Sequence, residues 1–177
     1  GFLLSNKNSK KNRVIISKDT RLSGYMFEPL IASGFISMGM DVILVGPLPT
    51  PALPMLINSL RADMGVMITA SHNTYEYNGL KFFDSKGDKI SKNLELKIEN
   101  LVLNHKKYLN IINKNTKTGT ALRLEDAQGR YSEFLKLKLE KKINFNKIKV
   151  VLDCGNGATY SIAPKIFWEL GCDVIAI

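Results

Sequence analysis

Cysteine is nearly missing from this chain. Two occur, Cys154 and Cys172, in 177 residues. Their spacing matches no metal-ligand pattern and cannot staple a small secreted fold, so both read as reduced core residues of a cytoplasmic protein. Long apolar runs are missing too. The opening tag Gly1-Phe2-Leu3-Leu4 is too short for a signal-peptide core or a membrane span. It reads as the tail of a helix, and the chain is expected to be truncated. Acidic residues are the third shortage, 16 against 25 Lys plus Arg, for a net charge of +9. The lysines cluster among Asn and Ser at Lys7, Lys10 and Lys11, at Lys106 and Lys107, and from Lys136 to Lys149. Aromatics do not interleave with them, which argues against nucleic acid as a partner. They read as solvated faces that also gather phosphorylated substrates. What remains is globular, with 45% apolar and 23% charged residues.

The apolar pattern alternates strand and helix. Residues 13–17 form a β-branched run that ends in the polar stretch Lys18-Asp19-Thr20-Arg21-Leu22-Ser23-Gly24. A helical stripe follows, with Phe27, Leu30, Ile31, Gly34, Phe35 and Met38 expected inward and the helix starting close to Pro29. Gly39 should end it. Asp41–Val45 is a second strand. Thr50-Pro51 reads as a cap and first helical residue for a helix carrying Leu53, Leu56, Ile57 and Leu60. Residues 65–69 are a third strand. Two β-α-β crossovers in succession imply a parallel sheet covered by helices, a three-layer α/β/α domain. Asn78-Gly79 reads as a hairpin-type turn that lets 80–83 pair as an antiparallel or mixed extension. A helix opening at Ile90-Ser91 should bury Leu94, Ile98, Leu101 and Val102. Residues 104–120 read as a mobile connection, and a helix should run from Leu124 to about Leu139. By spacing alone, Arg130 and Tyr131 are surface residues of it.

The opening pattern then returns. Lys149-Val150-Val151-Leu152-Asp153 repeats the strand-then-Asp of 14–19, and residues 170–177 repeat residues 38–45. A repeated β-loop-α-β unit implies two domains of related topology. Gly155-Asn156-Gly157-Ala158 lacks the third glycine of a dinucleotide fingerprint, because Tyr160 stands there, so a structural turn is the better reading than a nucleotide-binding module. An apolar helix face, Ile162, Ile166, Phe167 and Leu170, is expected to lack its full cover.

In an open parallel sheet, ligands bind beyond the carboxyl ends of the strands. The stretches Asp19–Gly24, Gly46–Thr50 and Ser71–Asn73 should therefore line one crevice. The third strand ends in Thr69-Ala70-Ser71-His72-Asn73, which presents a serine hydroxyl on the rim. Ser71 reads either as turn chemistry or as a nucleophile with His72 and Lys81 nearby to move protons or neutralise anionic oxygens. Arg21 is a candidate phosphate contact, or a local ion pair with Asp19.

The segment Thr69-Ala70-Ser71-His72-Asn73-Thr74, followed by Asn78-Gly79-Leu80-Lys81, resembles the phosphoserine loop of the α-D-phosphohexomutases. Thr74 stands where proline is usual, so the loop lacks that residue's stiffness. Lys18–Met26, Gly46–Ala52, Leu60–Met67 and Glu125–Tyr131 are similar to the phosphoglucosamine mutase branch more than to its phosphoglucomutase and phosphomannomutase relatives. The resemblance implies an intramolecular phosphotransferase that interconverts glucosamine 6-phosphate and glucosamine 1-phosphate, toward UDP-N-acetylglucosamine. Phosphorylated Ser71 would exchange its phosphoryl group with the sugar through a bisphosphorylated intermediate. Lys81 and His72 would assist, Arg21 and Asn73 would hold phosphate or substrate, and Mg²⁺ would meet the phosphoserine oxygen. A sugar bisphosphate would be the activator. The implied division is residues 1–120 as domain I, 121–143 as a linker helix and 144–177 as the start of domain II. The family's Phe-Gly-Thr-Asp-Gly-Ile-Arg-Gly and its metal loop Asp-Gly-Asp-Ala-Asp-Arg are not found in the chain. The expectation is that this piece alone does not turn over. It is then a half that works with the rest of the enzyme as a separate chain, or a non-catalytic remnant.

Overall fold

The computed structural model describes residues 12–104, 117–139 and 143–177. The expectations for Gly1–Leu4, for the lysines at 7, 10, 11, 106 and 107, and for most of the 104–120 connection lie outside the described residues. Five strands form one sheet. β1 (Arg13–Lys18), β2 (Asp41–Pro47), β3 (Met64–Ile68), β4 (Leu80–Phe83) and β5 (Ala121–Arg123) lie in the order β4-β3-β1-β2-β5. β1 pairs in parallel with β2 and β3, β5 pairs in parallel with β2, and β4 runs antiparallel to β3. This is the three-layer, mostly parallel mixed sheet that the β-α-β pattern implies.

Alternation along the strands divides the core. Val14, Ile16, Val42, Met64, Val66 and Ile68 face one side, where helix α1 (Gly24–Ser37) brings Ala32 and Phe35. Ile15, Ile43, Val45 and Met67 face the other, against Leu53, Leu56 and Ile57 of α2 (Ala52–Leu60). The α2 stripe is the one its spacing implies. Thr50 gives the first turn its carbonyl, which accepts from Leu53 N at 3.1 Å.

Helix α1 departs from its expected phase. It begins at Gly24, so Pro29 is interior. Leu30 and Gly34 are exposed, while Glu28 and Ala32 are buried. The buried Glu28 faces Lys18 on β1, which draws a polar residue inward and turns Leu30 out. Pro29 and Tyr25 lie on the exposed side, where the carbonyl that proline cannot bond is left to water. Gly39 follows the helix at φ 77° and donates to Ile36 O, while Met40 N bonds to Phe35 O, a left-handed stop that favours glycine.

Helix α3 (Lys92–Leu103) opens where expected, with Ser91 Oγ accepting from Leu94 N. It buries nothing fully, and Val102 points outward at 69% exposure, contrary to the inward face expected for it. β5 is three exposed residues, too short to show a period. Helix α4 (Ala127–Lys136) is shorter than expected, and it buries Tyr131 rather than leaving it on the surface. Burial pushes the Tyr131 phenol up from its ordinary value.

The repeat is a second, two-stranded parallel sheet of β6 (Lys149–Leu152) and β7 (Asp173–Ala176), joined by helix α5 (Ile162–Glu169). Its register matches the first unit: Lys149↔Asp173 and Val150↔Val174 stand where Arg13↔Asp41 and Val14↔Val42 stand in β1 and β2. Ile162 is buried and joins the α2-side core together with Tyr131. The helix face expected to lack cover is thus partly covered. The bare apolar surface is Val151 and Ile175 of the sheet, with Trp168 of the helix. Cys172 is buried, Cys154 is half-buried, and both are free thiols.

Candidate active site

β3 is buried along its whole length and delivers Thr69, Ala70 and Ser71 to the carboxyl edge of the sheet. Thr69 is still buried and Ser71 is exposed, so the hydroxyl stands on the rim. Ser71 adopts φ 59°, a left-handed conformation that is rare for a serine and must be held by its surroundings.

Arg21 holds it. Its Nε donates to Asp19 Oδ2 at 3.1 Å. Nη1 donates to the carbonyls of Thr74 and Tyr77 at 2.6 and 2.9 Å. Nη2 donates to those of Ser71 and Asn73 at 2.9 and 2.8 Å. All five guanidinium N–H groups are therefore committed to the loop and to Asp19. Of the two readings of Arg21, the ion pair with Asp19 is formed. A direct phosphate contact requires Arg21 to release a carbonyl. Thr74 keeps the carbonyl that the usual proline would also supply. Its hydroxyl bond is the chief reason Glu76 sits below the ordinary glutamate range.

Asp19 is the second anchor. Its Oδ2 also accepts from Thr69 Oγ1 at 3.2 Å, and Thr69 Oγ1 accepts from Ser71 N at 3.0 Å. A chain of bonds thus runs from Arg21 through Asp19 and Thr69 to the serine's own backbone. The Asp19 and Arg21 side chains are only 15% and 9% exposed, so water screens the pair little.

This clamp orients the loop's peptides. A trans peptide is planar, so pulling the carbonyls of Ser71, Asn73, Thr74 and Tyr77 toward Arg21 turns the N–H groups of His72, Thr74, Tyr75 and Asn78 the other way. Those N–H groups take no acceptor among the described residues. The loop presents a set of donors beside an exposed hydroxyl, an arrangement suited to an anion.

His72 is exposed, and its Nδ1 lies 3.4 Å from Ser71 Oγ. Asn73 is exposed and its N–H donates to Ala70 O. Lys81 is half-buried on β4, opposite Met67, and its ammonium has no hydrogen-bond or ion-pair partner among the described residues. Asn78-Gly79 is not a two-residue hairpin turn, because residues 69–79 separate β3 from β4. Asn78 instead donates to Ser23 Oγ at 2.9 Å and accepts from Gly79 N, tying the serine loop to the start of α1. A side chain at Gly79 would stand 3.2 Å from Thr69 O, so the close approach of the loop's two ends needs glycine.

The loop at 19–24 meets the serine loop directly. The loop at 46–50 is tied to the end of β1 instead, where Leu48 N donates to Lys18 O, and Leu48 itself is fully buried. Thr69, Ser23, Lys18 and Glu28 join the site beyond the residues that the sequence points to, and Asp19 does more than pair with Arg21. Lys18 Nζ donates to Glu28 Oε2 at 2.8 Å inside the protein and lies 4.2 Å above the Tyr25 ring. Arg123 Nη2 lies 3.8 Å from the same oxygen, and Glu28 Oε1 has no hydrogen-bond partner among the described residues. β1 runs one residue further than expected and includes Lys18, which strand alternation then puts on the α1 side. A charged residue in a β-branched strand was the one available signal that α1 must answer it.

Among the described residues no group of three or more His, Cys, Asp or Glu converges as a metal site. A hard divalent cation takes several oxygens, and Asp19, the carboxylate bonded into the site, is occupied by Arg21 and Thr69. The donor set of this chain does not by itself fit Mg²⁺. No helix among the described residues is long and apolar enough to cross a membrane.

The model of the phosphoglucomutase/phosphomannomutase alpha/beta/alpha domain I matches residues 1–109. A phosphoglucosamine mutase of Granulibacter bethesdensis is 53% identical over 99% of this chain and 38% of its own length. One of Rhodospirillum rubrum is 50% identical over all of this chain and 38% of its own. The crystal structure of a phosphoglucomutase/phosphomannomutase family protein from Burkholderia thailandensis superimposes with a TM-score of 0.73. It is 26% identical and covers 94% of this chain and 35% of that one. The chain spans under two-fifths of the length of these relatives. With a matching domain model over more than half its residues, it belongs to the phosphoglucomutase/phosphomannomutase family.

Proposed function

We propose that this chain carries the phosphoserine half of a phosphoglucosamine mutase. In this reading Ser71 accepts and returns the phosphoryl group that moves between O6 and O1 of a glucosamine phosphate. The observation that carries the reading is the exposed Ser71 hydroxyl at the sheet's carboxyl edge, in a loop whose backbone is held by four bonds from one arginine, with Ser71 at φ 59°. Identity near 50% to phosphoglucosamine mutases supports the amino-sugar substrate over glucose or mannose phosphates.

Phosphoryl transfer asks mainly for positioning and for charge neutralisation as the group moves. The outward N–H groups of His72, Thr74, Tyr75 and Asn78 would receive phosphoryl oxygens. Lys81, whose ammonium has no other partner, would stabilise charge or pass a proton to the sugar oxygen. His72 would orient the Ser71 hydroxyl, and Asn73 would line the rim. Arg21 acts first by shaping the loop. The phosphorylated Ser71 would offer one oxygen to Mg²⁺, which would supply charge neutralisation when bound, its carboxylate ligands coming from outside the described residues. The working partners are a phosphorylated hexosamine, a sugar bisphosphate activator and the remainder of the enzyme. The setting is the cytoplasm, and the isolated chain does not turn over.

Intact mass of the chain from its natural source tests the site: a phosphate-sized increment lost in Ser71→Ala is expected, and its absence or its mapping elsewhere would refute the assignment. A coupled mutase assay with sugar bisphosphate tests the rest, and clear turnover by the isolated chain would overturn the inactivity claim.

A further inference from the structure

We propose that Thr20 and Asn156 form a latch by which the second β-α-β unit holds the anchor of the serine loop, which makes both of them positioning residues for Ser71. The proposal rests on the reading of Ser71 as a phosphoryl carrier. Thr20 lies between Asp19 and Arg21, the two residues that set the loop's shape. Its hydroxyl has one proton and two acceptors in reach: the Asn156 carbonyl at 2.8 Å and Asp19 Oδ1 at 3.4 Å. The shorter bond takes the proton, so the hydroxyl bridges to a residue 136 positions along the chain. Asp19 Oδ1 then keeps only the Thr20 N–H, and Oδ2 stays fully with Arg21 and Thr69. If the second unit moves away, the nearest remaining acceptor for the hydroxyl is Asp19. Losing the bond, in that way or by removing the hydroxyl, unties Thr20 from the second unit and loosens the placement of Asp19 and Arg21 on either side of it.

The far side of the latch is shaped for the contact. Gly155 and Asn156 take successive left-handed conformations, φ 54° and 52°. Asparagine tolerates that region better than most residues. The Asn156 carbonyl is left free by its own turn, where Gly157 N donates to Cys154 O instead. The two partners also occupy matching places in the repeat, each in the loop that follows the strand-end aspartate, Asp19 or Asp153. The carboxyl edges of the two sheets thus meet at this bond.

Hydrogen exchange on the full chain tests the latch with Thr20→Val, Thr20→Ser and Asn156→Gly. Thr20→Val removes the donor and keeps the shape. Amides of Ser71, Asn73, Tyr77 and Gly79, the bonded N–H groups of the loop, should then exchange about three- to tenfold faster, the factor an ordinary hydrogen bond controls, with those of β1 and β2 unchanged. Thr20→Ser and Asn156→Gly should behave as wild type, since one keeps the hydroxyl and the other keeps the carbonyl and its backbone conformation. No change at these bonded loop amides in Thr20→Val, equal acceleration in β1 and β2, or failure of Thr20→Ser to restore protection would each overturn the proposal. Uptake of a phosphoryl group by Ser71 from a hexose bisphosphate, with the remainder of the enzyme and Mg²⁺ supplied and followed by intact mass, gives a second readout. Thr20→Val should slow it by a similar factor, and unchanged uptake would overturn the positioning role. If the wild type takes up none, the phosphoryl-carrier reading fails, and the exchange result alone decides the latch.

Discussion

The molecule contains the same β-α-β pattern twice, and the two copies have very different surroundings. In the first, Val14, Ile15 and Ile16 are fully buried, because β3 flanks β1 and helices cover both faces. In the second, Val151 and Ile175 stand 59% and 45% exposed on a sheet of two strands. The strand-end aspartates differ likewise. Asp19 takes bonds from Arg21, Thr69 and Thr20, while Asp153 accepts one from Gly155 N. Equal local sequence makes equal local structure. Its energetic weight depends on what is packed around it.

Breaking the charged pairs should separate the copies most. Lys18→Met leaves Glu28 buried without its partner and should destabilise the fold by about 3–5 kcal/mol in urea unfolding. Lys149→Met removes an exposed ion pair with Asp173 at 3.7 Å and should leave the midpoint unchanged. Equal losses would show that burial is not the deciding difference.

Core truncation follows. Ile16→Ala should cost about 2–5 kcal/mol, against about 0.5 kcal/mol or less for Val151→Ala. A large loss at Val151 in the isolated chain would mean that its exposed face is covered in solution.

Arg21→Lys sharpens the comparison at the strand ends. Lysine cannot reproduce a five-donor fork, so the bonded amides of Ser71, Asn73, Tyr77 and Gly79 should lose about tenfold or more of their protection, and Ser71 phosphoryl uptake should fall with it. Asp153→Asn, the counterpart change in the second unit, should leave that loop's exchange as it is.

The smallest effect lies at the seam between α4 and α5. Lys136 bonds Glu133 and Glu169, which raises its pKa, and the same bond to Lys136 is the main cause lowering that of Glu169. For Glu169 the folded pKa is depressed, so its contribution is present above the ordinary glutamate value and is lost as pH falls through the lowered one. For Lys136 the folded pKa is raised, so its contribution is present below the ordinary lysine value and is lost as pH rises through the raised one. Lys136 is half-buried and Glu169 exposed, so water screens the pair and unfolding midpoints of wild type and Lys136→Met should differ only slightly between these limits and converge outside them.

Much of the fold was legible because period and punctuation agree. Alternating strand and helix patterns, Gly39, Ser91 and the repeated strand-Asp units all landed where the residues put them. The phase of α1 was not legible, because Glu28 points inward only to meet Lys18 on another element. β5 is too short to show a period, and Tyr131 is buried by α2 and α5, which its own helix cannot reveal. At the site, Ser71, His72 and Lys81 stood out as chemistry-bearing residues. The role of Arg21 did not, because its choice between Asp19 and a phosphate depends on where four carbonyls from residues 71–77 fall.

By itself, the sequence determined the class of fold, the repeat and the strand end on which the serine stands, since these follow from side-chain periodicity and turn chemistry within a few residues. Only the tertiary structure decided how the serine loop is held. Arg21 reaches 50 to 56 positions along the chain to close it, and Thr20 reaches 136 to meet the second unit. Bonds of that span depend on strand order, which brings distant loops to one edge and leaves no trace in local pattern.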